Sequence, residues 1–457
     1  MQGAMELTQP FSWRLLSFRM AQLLLLYGVI LLPTGAGHMN NILIAVAALA
    51  LLSGQVKEKW AMIRAQRTTA WILLFSFILI ASIFYTQGTL KYAIQGLVKY
   101  EKILFFIAYL PLLADKNFRD LVLNVFILSA LISVVIIMSG LVEPEPLINA
   151  IDSAFIVSVV SFVLLRKYLE GGQWRWLYGA LFVFVGAYLL LFNVERTGYL
   201  LFLGGLGTAF WQTFRWRGLL IGLSLILTLV VGLYSFSPSF QHRLYEGFQE
   251  ARAYTSDDVK ISRSIGVRLG LIAEVYKVPI ESDSSINNFP SLYNTYLDKQ
   301  GFIFEKFWFL HPHADIRLSS IGLRLGFMQY SWREIKKHPW FGNGNGSFHD
   351  VYWAGGGPTI GDDYLGHPHN EYILILFQFG VVGLMIFLLW QGVMWFESFQ
   401  LPQQEQYLLQ GLLVSFALLG LCNASLFVNP SGVVFVILAT LFLAAKTDKR
   451  GRPWISR

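Results

Sequence analysis

Apolar runs close to the length of a membrane crossing recur along the whole chain, and nothing constrains its fold more. Covering about 30 Å of hydrocarbon takes ~20 helical residues, because inside lipid each backbone N–H and C=O must find its partner within the segment. The runs centre on Leu15–Leu32, Asn41–Ser53, Thr69–Tyr85, Leu97–Leu113, Leu121–Leu141, Ala154–Leu165, Trp176–Asn193, Gly198–Phe214, Leu219–Phe236, Tyr372–Phe396, Tyr407–Leu421 and Phe427–Ala445. They predict about twelve spans, and no alternating pattern in segments of roughly ten residues suggests a barrel. With 55% of residues hydrophobic and 14% charged, an ordinary soluble domain and a disordered chain are both excluded. The predicted fold class is all-α: a polytopic membrane protein with a large, mostly helical loop.

The second and sixth runs are short for a full crossing, and the fourth begins at Lys99-Tyr100-Glu101-Lys102, so one of these is a candidate for a re-entrant or tilted segment. Lys99 and Lys102 read as interfacial side chains that snorkel to headgroups. Arg14 and Arg19 precede the first run, and the segment after it leads into another span without a convincing cleavage site, which predicts an uncleaved first helix.

The formal charge of +7 is spread over short connections rather than a stripe, which argues for topology and against nucleic acid. Lys57, Lys59, Arg64 and Arg67 follow the second run, Arg166, Lys167 and Arg175 the sixth, Arg215 and Arg217 the eighth, and Lys446, Lys449, Arg450 and Arg452 the last. By the positive-inside rule these face the cytoplasm, with both termini. Glu143-Pro144-Glu145-Pro146 and the long loop Ser237–Glu371 then face outward, into the periplasm in a Gram-negative cell. The predicted organisation is 1–236 membrane helices, 237–371 periplasmic loop, and 372–457 further helices and a cytoplasmic tail. Cys422 is the one cysteine, so no intrachain disulfide or CxxC site can form.

Inside the loop, Ser264-Ile265-Gly266-Val267-Arg268 is echoed by Ser320-Ile321-Gly322-Leu323-Arg324, and His311-Pro312-His313 by His367-Pro368-His369. Two copies indicate a local duplication or insertion around Pro279–His313 rather than a repeat fold. Gln329–Lys337 reads as an amphipathic helix stopped by Pro339, followed by the glycine-rich turn Gly342–Ser347 and a second flexible element at Gly355–Pro358. Trp308, Trp332, Trp340 and Trp353 are expected to supply the apolar surface on which the loop packs.

The residues able to carry chemistry gather at span ends. Arg196, in Glu195-Arg196-Thr197-Gly198, either pairs with Glu195 or headgroups, or presents a guanidinium fork to a phosphate. Arg268 and Arg324 are each expected just inside a helix N-terminus, where the dipole also favours anions; the alternative is a solvated surface arginine. His369 precedes Asn370, a good N-cap for the helix starting near Tyr372. The positive end of that helix disfavours imidazolium and suits a general base, against the plainer role of an interfacial anchor. Pro368 is expected to hold the backbone extended, so that the His367 and His369 rings point to opposite sides. His311, His313, Asp315, Asp362, Asp363, His367 and His369 are of the residue types that bind zinc or another divalent ion. No His-Glu-x-x-His helix is present and the prolines keep the histidine pairs from converging, so no metal or other cofactor is expected. No GxxxxGK[ST] loop is present either.

Ser320–Arg324, Trp332, His338-Pro339-Trp340-Phe341-Gly342-Asn343-Gly344, His369-Asn370-Glu371-Tyr372 and Gly380–Leu384, with Arg196-Thr197-Gly198-Tyr199 upstream, resemble the O-antigen ligase and polymerase superfamily of bacterial envelope glycosyltransferases. The resemblance covers the whole topology, is most specific from Ser319 to Phe387, and implies a GT-C-like fold in the inner membrane. It implies metal-independent, inverting transfer of a polysaccharide from undecaprenyl pyrophosphate to an acceptor sugar at the periplasmic face, the acceptor of the ligase being lipid A-core. On this chain His369 would activate the acceptor hydroxyl while Arg196 and Arg324 hold the pyrophosphate. Arg268, His367, Asn370 and Tyr372 would contribute to substrate binding, although the second arginine-bearing copy at Arg268 departs from the family pattern. A polymerase using a lipid-linked repeat as acceptor is the alternative. A transporter with the loop as a lid is another, and predicts charges spread over many helices and repeated spans, neither of which is evident.

Overall fold

In the computed structural model the Leu-, Ile- and Val-rich runs are helices whose ends are set by caps and prolines. The structure describes residues 13–34, 39–54, 56–140, 150–192, 195–236, 241, 245, 320–354, 366–428 and 430–446. The N-terminal helices are α1 Trp13–Leu31, α2 Met39–Leu52, α3 Val56–Ala65, α4 Arg67–Ala81, α5 Leu90–Tyr100, α6 Phe105–Tyr109 and α7 Lys116–Met138. They are followed by α8 Ala150–Glu170, α9 Arg175–Ala187, α10 Arg196–Phe236, α11 Ser320–Ile335, α12 Ser347–Ala354, α13 Glu371–Ser398, α14 Gln403–Cys422 and α15 Ser431–Leu443. No strand occurs among the described residues, and the all-α class follows. Asp115 caps α7 by accepting from Phe118 N at 2.8 Å, and prolines 402 and 430 stand immediately before α14 and α15.

Six described helices are long and apolar enough to cross a membrane, or seven if the sharply bent pair α2 and α3 is one span. The expected count of about twelve rests on further segments that behave in several ways. The sixth run, short by sequence, is extended by polar residues at both ends into the 21-residue α8, buried from Ile151 through Arg166. The fourth run is interrupted: α5 gives way at Glu101 to a 3-10 turn before α6. The eighth and ninth runs meet at Arg215, whose φ of 54 and ψ of −134 break α10. A Cβ on Gly222 would touch Phe210 at 3.6 Å and the Gly207 Cα at 3.7 Å, so the chain folds back there and the two runs pack as antiparallel partners.

Contacts divide the chain into two units: Met1–Leu229 with Glu334–Gly355 and Leu365–Arg457, and Val230–Arg333 with Gly356–Tyr364. In the first, α13 packs along α4 through a cluster in which the Phe75 ring lies 6.0 Å from Phe379 and from Phe387 and 6.4 Å from Trp390. Such aromatic pairs contribute about 0.5–1.5 kcal/mol each beyond their buried area.

The 339–347 stretch of the long loop is built into this unit by a break in α13. Gly380 sits at φ 63 and ψ −166, which takes the backbone groups around it out of the helical ladder. The loop picks them up: Asn343 N and Gly344 N donate to Phe377 O and Gln378 O at 2.9 and 2.8 Å, and Val381 N and Val382 N donate to Pro339 O and Trp340 O at 2.8 and 3.2 Å. On its other side the loop meets the turn between α4 and α5, where Gln87 N donates to Asn343 O at 2.8 Å and Thr86 Oγ1 to Asn345 O at 2.9 Å. Buried backbone needs such partners, and glycine admits them at this range. A Cβ on Gly344, at φ 87, would stand 2.3 Å from Thr86 Cα.

The tryptophans expected to pack the loop do not all do so: Trp332 is 54% and Trp340 65% exposed. Phe348 and Tyr352, fully buried, anchor α12 instead, Phe348 edge-on to Phe377 at 5.2 Å. Rings at the end of a membrane protein need not be buried in protein, since the interface suits an amphipathic indole. Trp308 lies outside the described residues.

The basic residues read as a topology signal gather at one end of the first unit. Glu397, at the end of α13, accepts from Arg67 N at 2.8 Å and Thr68 Oγ1 at 2.6 Å, capping α4, and pairs with Lys446 at 3.0 Å. Arg119 donates to the carbonyls of Leu113, Ala114 and Ala444. Arg166 lies 4.3 Å over the Tyr407 ring and bonds Thr213 at 3.0 Å.

Candidate functional site

The other end of α13 is made differently. Asn370 is the N-cap: its Oδ1 accepts from Ile373 N at 3.0 Å, and its Nδ2 donates to Leu421 O at 3.0 Å, tying α13 to the end of α14. One residue earlier, half-buried His369 has φ 54, in the left-handed region. A non-glycine residue there costs about 1–3 kcal/mol and persists only where its surroundings over-determine it. Cap and carbonyl tie supply that constraint.

This backbone reversal overturns the expectation that the two histidine rings diverge. His369 N donates to His367 Nδ1 at 3.3 Å, and the ring centroids are 4.6 Å apart, edge to face. The left-handed step at His369 turns the second ring back to the first. Since His367 Nδ1 is the acceptor, that ring is assigned as neutral with its proton on Nε2.

Beneath the histidines lies a set of buried charges. Glu371 is fully buried and its Oε2 accepts from Leu426 N at 2.6 Å. Lys102, 2% exposed, donates to Val428 O at 3.4 Å and has Glu371 and Asp152 as its opposite-charge neighbours. The snorkelling role expected of Lys102 is therefore wrong: its ammonium turns inward because two carboxylates and a turn carbonyl meet it there. Asp152, also fully buried, accepts from the Ser431 hydroxyl. The Tyr100 hydroxyl completes the surroundings of Glu371. Together they fix the turn between α14 and α15.

Phe427, on that turn, is the platform between the buried charges and the surface. Its ring lies 5.5 Å from Tyr100 and 6.0 Å from His367, and exposed Lys99 holds its ammonium 4.1 Å over it. A Cβ on Gly366 would be 3.8 Å from Lys99 Nζ. The lysine thus stands against the backbone next to His367, which puts a positive charge near the two imidazoles.

Arg196 reaches the same end of the bundle. Gln212 of α10 bonds Tyr407 O and Gln410 of α14 at 3.1 and 3.3 Å, while a Cβ on Gly204 would meet Leu418 at 2.3 Å. The two helices are therefore antiparallel, and at 1.5 Å per residue Arg196 lies about 12 Å beyond Gly204, level with the turn after Cys422. Its side chain is half-buried. Tyr372 donates its hydroxyl to Ala417 O at 3.0 Å, so this residue and Asn370 direct polar atoms into the fold. Arg324 belongs to the second unit, in the first turns of α11 and half-exposed. Arg268, His311, His313, Asp315, Asp362 and Asp363 lie outside the described residues. Among the described residues no three His, Cys, Asp or Glu side chains converge as a metal site would require.

Sequence reading missed Lys102, Asp152 and Phe427 as parts of one site. A signal was present: an ionisable residue in an apolar run is rarely there without a partner. What it lacked was the pairing, which joins residues from three separate segments.

Fold and site together define a multi-pass helical membrane protein with two histidines and a lysine gathered at the end of the bundle opposite its basic end. Residues 180–388 match the family model described as O-Antigen ligase, a stretch that includes Arg196, Arg324 and His369. Over that stretch the chain is similar to the O-antigen ligase and polymerase superfamily, whose members are glycosyltransferase-like membrane enzymes that act on lipid-linked polysaccharides. No curated protein matches the chain.

Proposed function

We propose that the protein is a ligase-type glycosyltransferase that moves O-antigen polysaccharide from undecaprenyl pyrophosphate to a sugar hydroxyl of lipid A-core, at the periplasmic face of the bacterial inner membrane. The observation that carries this reading is His369: a half-buried imidazole in a left-handed conformation at the start of α13, beside a second histidine and a lysine, within the segment that matches the family. A base in reach of an acceptor hydroxyl, with cations for the departing diphosphate, is the set this transfer needs. His369 takes the hydroxyl proton as the oxygen attacks the anomeric carbon; the bond to the pyrophosphate oxygen breaks on the opposite face, with inversion. Arg196 and Arg324 hold the diphosphate and carry its growing charge, with Arg268 assisting. His367 orients beside the acceptor.

The basic connections facing the cytoplasm would put the histidine end outside, on the side where a flipped lipid-linked glycan is presented. Purified protein given lipid-linked glycan and lipid A-core, without ATP or added metal, should form the linked product. Folded protein that binds donor and forms none would point to transport. Replacing the acceptor with a second lipid-linked repeat tests the polymerase reading. Lipopolysaccharide from a deletion strain separates the two in cells: unattached full-length polymer means ligase, core bearing a single repeat means polymerase.

A further inference from the structure

At the basic end of the bundle, far from His369, the helices leave a pocket of about 200 Å³ between α7, α8, α14 and α15. One buried water needs only roughly 10–15 Å³, so the space suits a larger polar group. Lys116, Arg119 and Lys167 line it together with the carboxylates of Asp120 and Glu405. Lys116 and Asp120 pair with each other at 2.7 Å, Arg119 has Glu405 as a carboxylate neighbour, and Lys167, with its ammonium 5.3 Å over the Tyr178 ring, has Glu170 nearby. Arg119 is only 8% exposed, and its Nη1 is fixed by the carbonyls of Leu113, Ala114 and Ala444. Its guanidinium is therefore held in place before any ligand arrives, with low ordering cost on binding. Asn124 adds a neutral donor, and Leu408, Leu441 and Phe442 make an apolar wall.

We propose that this pocket binds a phosphate group, of the kind carried by an anionic phospholipid headgroup or by free inorganic phosphate. A planar guanidinium beside a lysine matches phosphate oxygens with paired, charge-assisted hydrogen bonds. The location at helix ends suits a lipid phosphodiester, because basic pockets between membrane helices accept anionic headgroups. The site is separate from the transfer chemistry and stands whether or not that chemistry is as described above.

The test uses the full-length protein in mild detergent, with thermal unfolding and native mass spectrometry as readouts. Phosphatidylglycerol should raise the unfolding midpoint by a few degrees and remain bound in the spectrometer, whereas phosphatidylcholine should do neither. Protection by inorganic phosphate alone would assign the same site to the free ion. Arg119 substitutions risk misfolding because its Nη1 ties three carbonyls, so the diagnostic variants are Lys167→Gln, which should weaken retention several-fold, and Glu405→Gln, which should strengthen it. Equal behaviour of the two lipids with no effect of phosphate, or retention unchanged in both variants, would overturn the proposal.

Discussion

The two ends of α13 both carry buried charge, and they use it in opposite ways. At Glu397 the carboxylate is 1% exposed and fully engaged: it caps α4 through Arg67 N and Thr68, and pairs with Lys446. Each of these groups holds a helix terminus in place. At the start of the same helix Glu371 and Lys102 are buried with equal care, yet the residue beside them, His369, is in the left-handed region and only half-buried. A charge set that only stabilises a fold has no need of a strained, accessible imidazole above it. The difference sets a structural use of ionisable residues apart from the arrangement that we propose as the site.

Substitution of His369 should give the largest effect. His369→Ala is expected to lower glycan transfer by about 10²–10⁴-fold, the usual contribution of a general base, with donor binding retained. His369→Asn is the control, since asparagine tolerates positive φ: it should restore stability lost in the alanine variant while staying inactive. Wild-type transfer by the asparagine variant would remove the base assignment and with it the contrast between the ends.

The opposite outcome is expected of Glu397→Ala. Leaving Lys446 buried beside no carboxylate, and α4 uncapped, should cost about 3–5 kcal/mol, read by chemical or thermal unfolding, while transfer per folded molecule stays near wild type. A large drop in turnover without loss of stability would mean that this end also serves the reaction. Gly344→Ala probes the loop packed on the break in α13. Its Cβ would collide with Thr86, and overpacking with a left-handed alanine should together cost about 2–5 kcal/mol.

Smaller effects sharpen the picture. Lys99→Ala should raise the apparent KM for the lipid-linked donor several-fold and leave stability nearly unchanged, because the side chain is exposed; an unchanged KM would reduce Lys99 to a headgroup contact. The least effect is expected at Asp350. Burial works to raise its pKa, but hydrogen bonds from the Thr89 backbone and from His349 outweigh it and hold the carboxyl below its ordinary value. Its contribution is therefore present above about pH 4 and lost as pH falls through the lowered value. Asp350→Asn should weaken stability at neutral pH and have no effect in stronger acid, as unfolding at both pH values would show.

The local structure around the candidate site is legible in the sequence. Asn370 as N-cap, Pro339 as the stop after the amphipathic helix and the glycine-rich turn at Gly342–Ser347 are local chemistry, and local chemistry is written in adjacent residues. The divergent histidines were misjudged because one residue's φ, set by a carbonyl on another helix, decides where the rings point. Lys102 was misjudged for the same kind of reason. An ammonium in an apolar run either snorkels or finds a partner, and its partners, Glu371 and Asp152, are remote in sequence.

Apolar periodicity and length thus determined by themselves that this chain is an all-helical membrane protein, and the spacing of a few polar motifs pointed to its family. Only the tertiary structure decided which ionisable residues lock helices together and which lie beneath the paired histidines. Hydrophobic burial depends on composition along each segment, whereas the fate of a buried charge depends on where its counter-charge lies, and folding brings that from elsewhere in the chain.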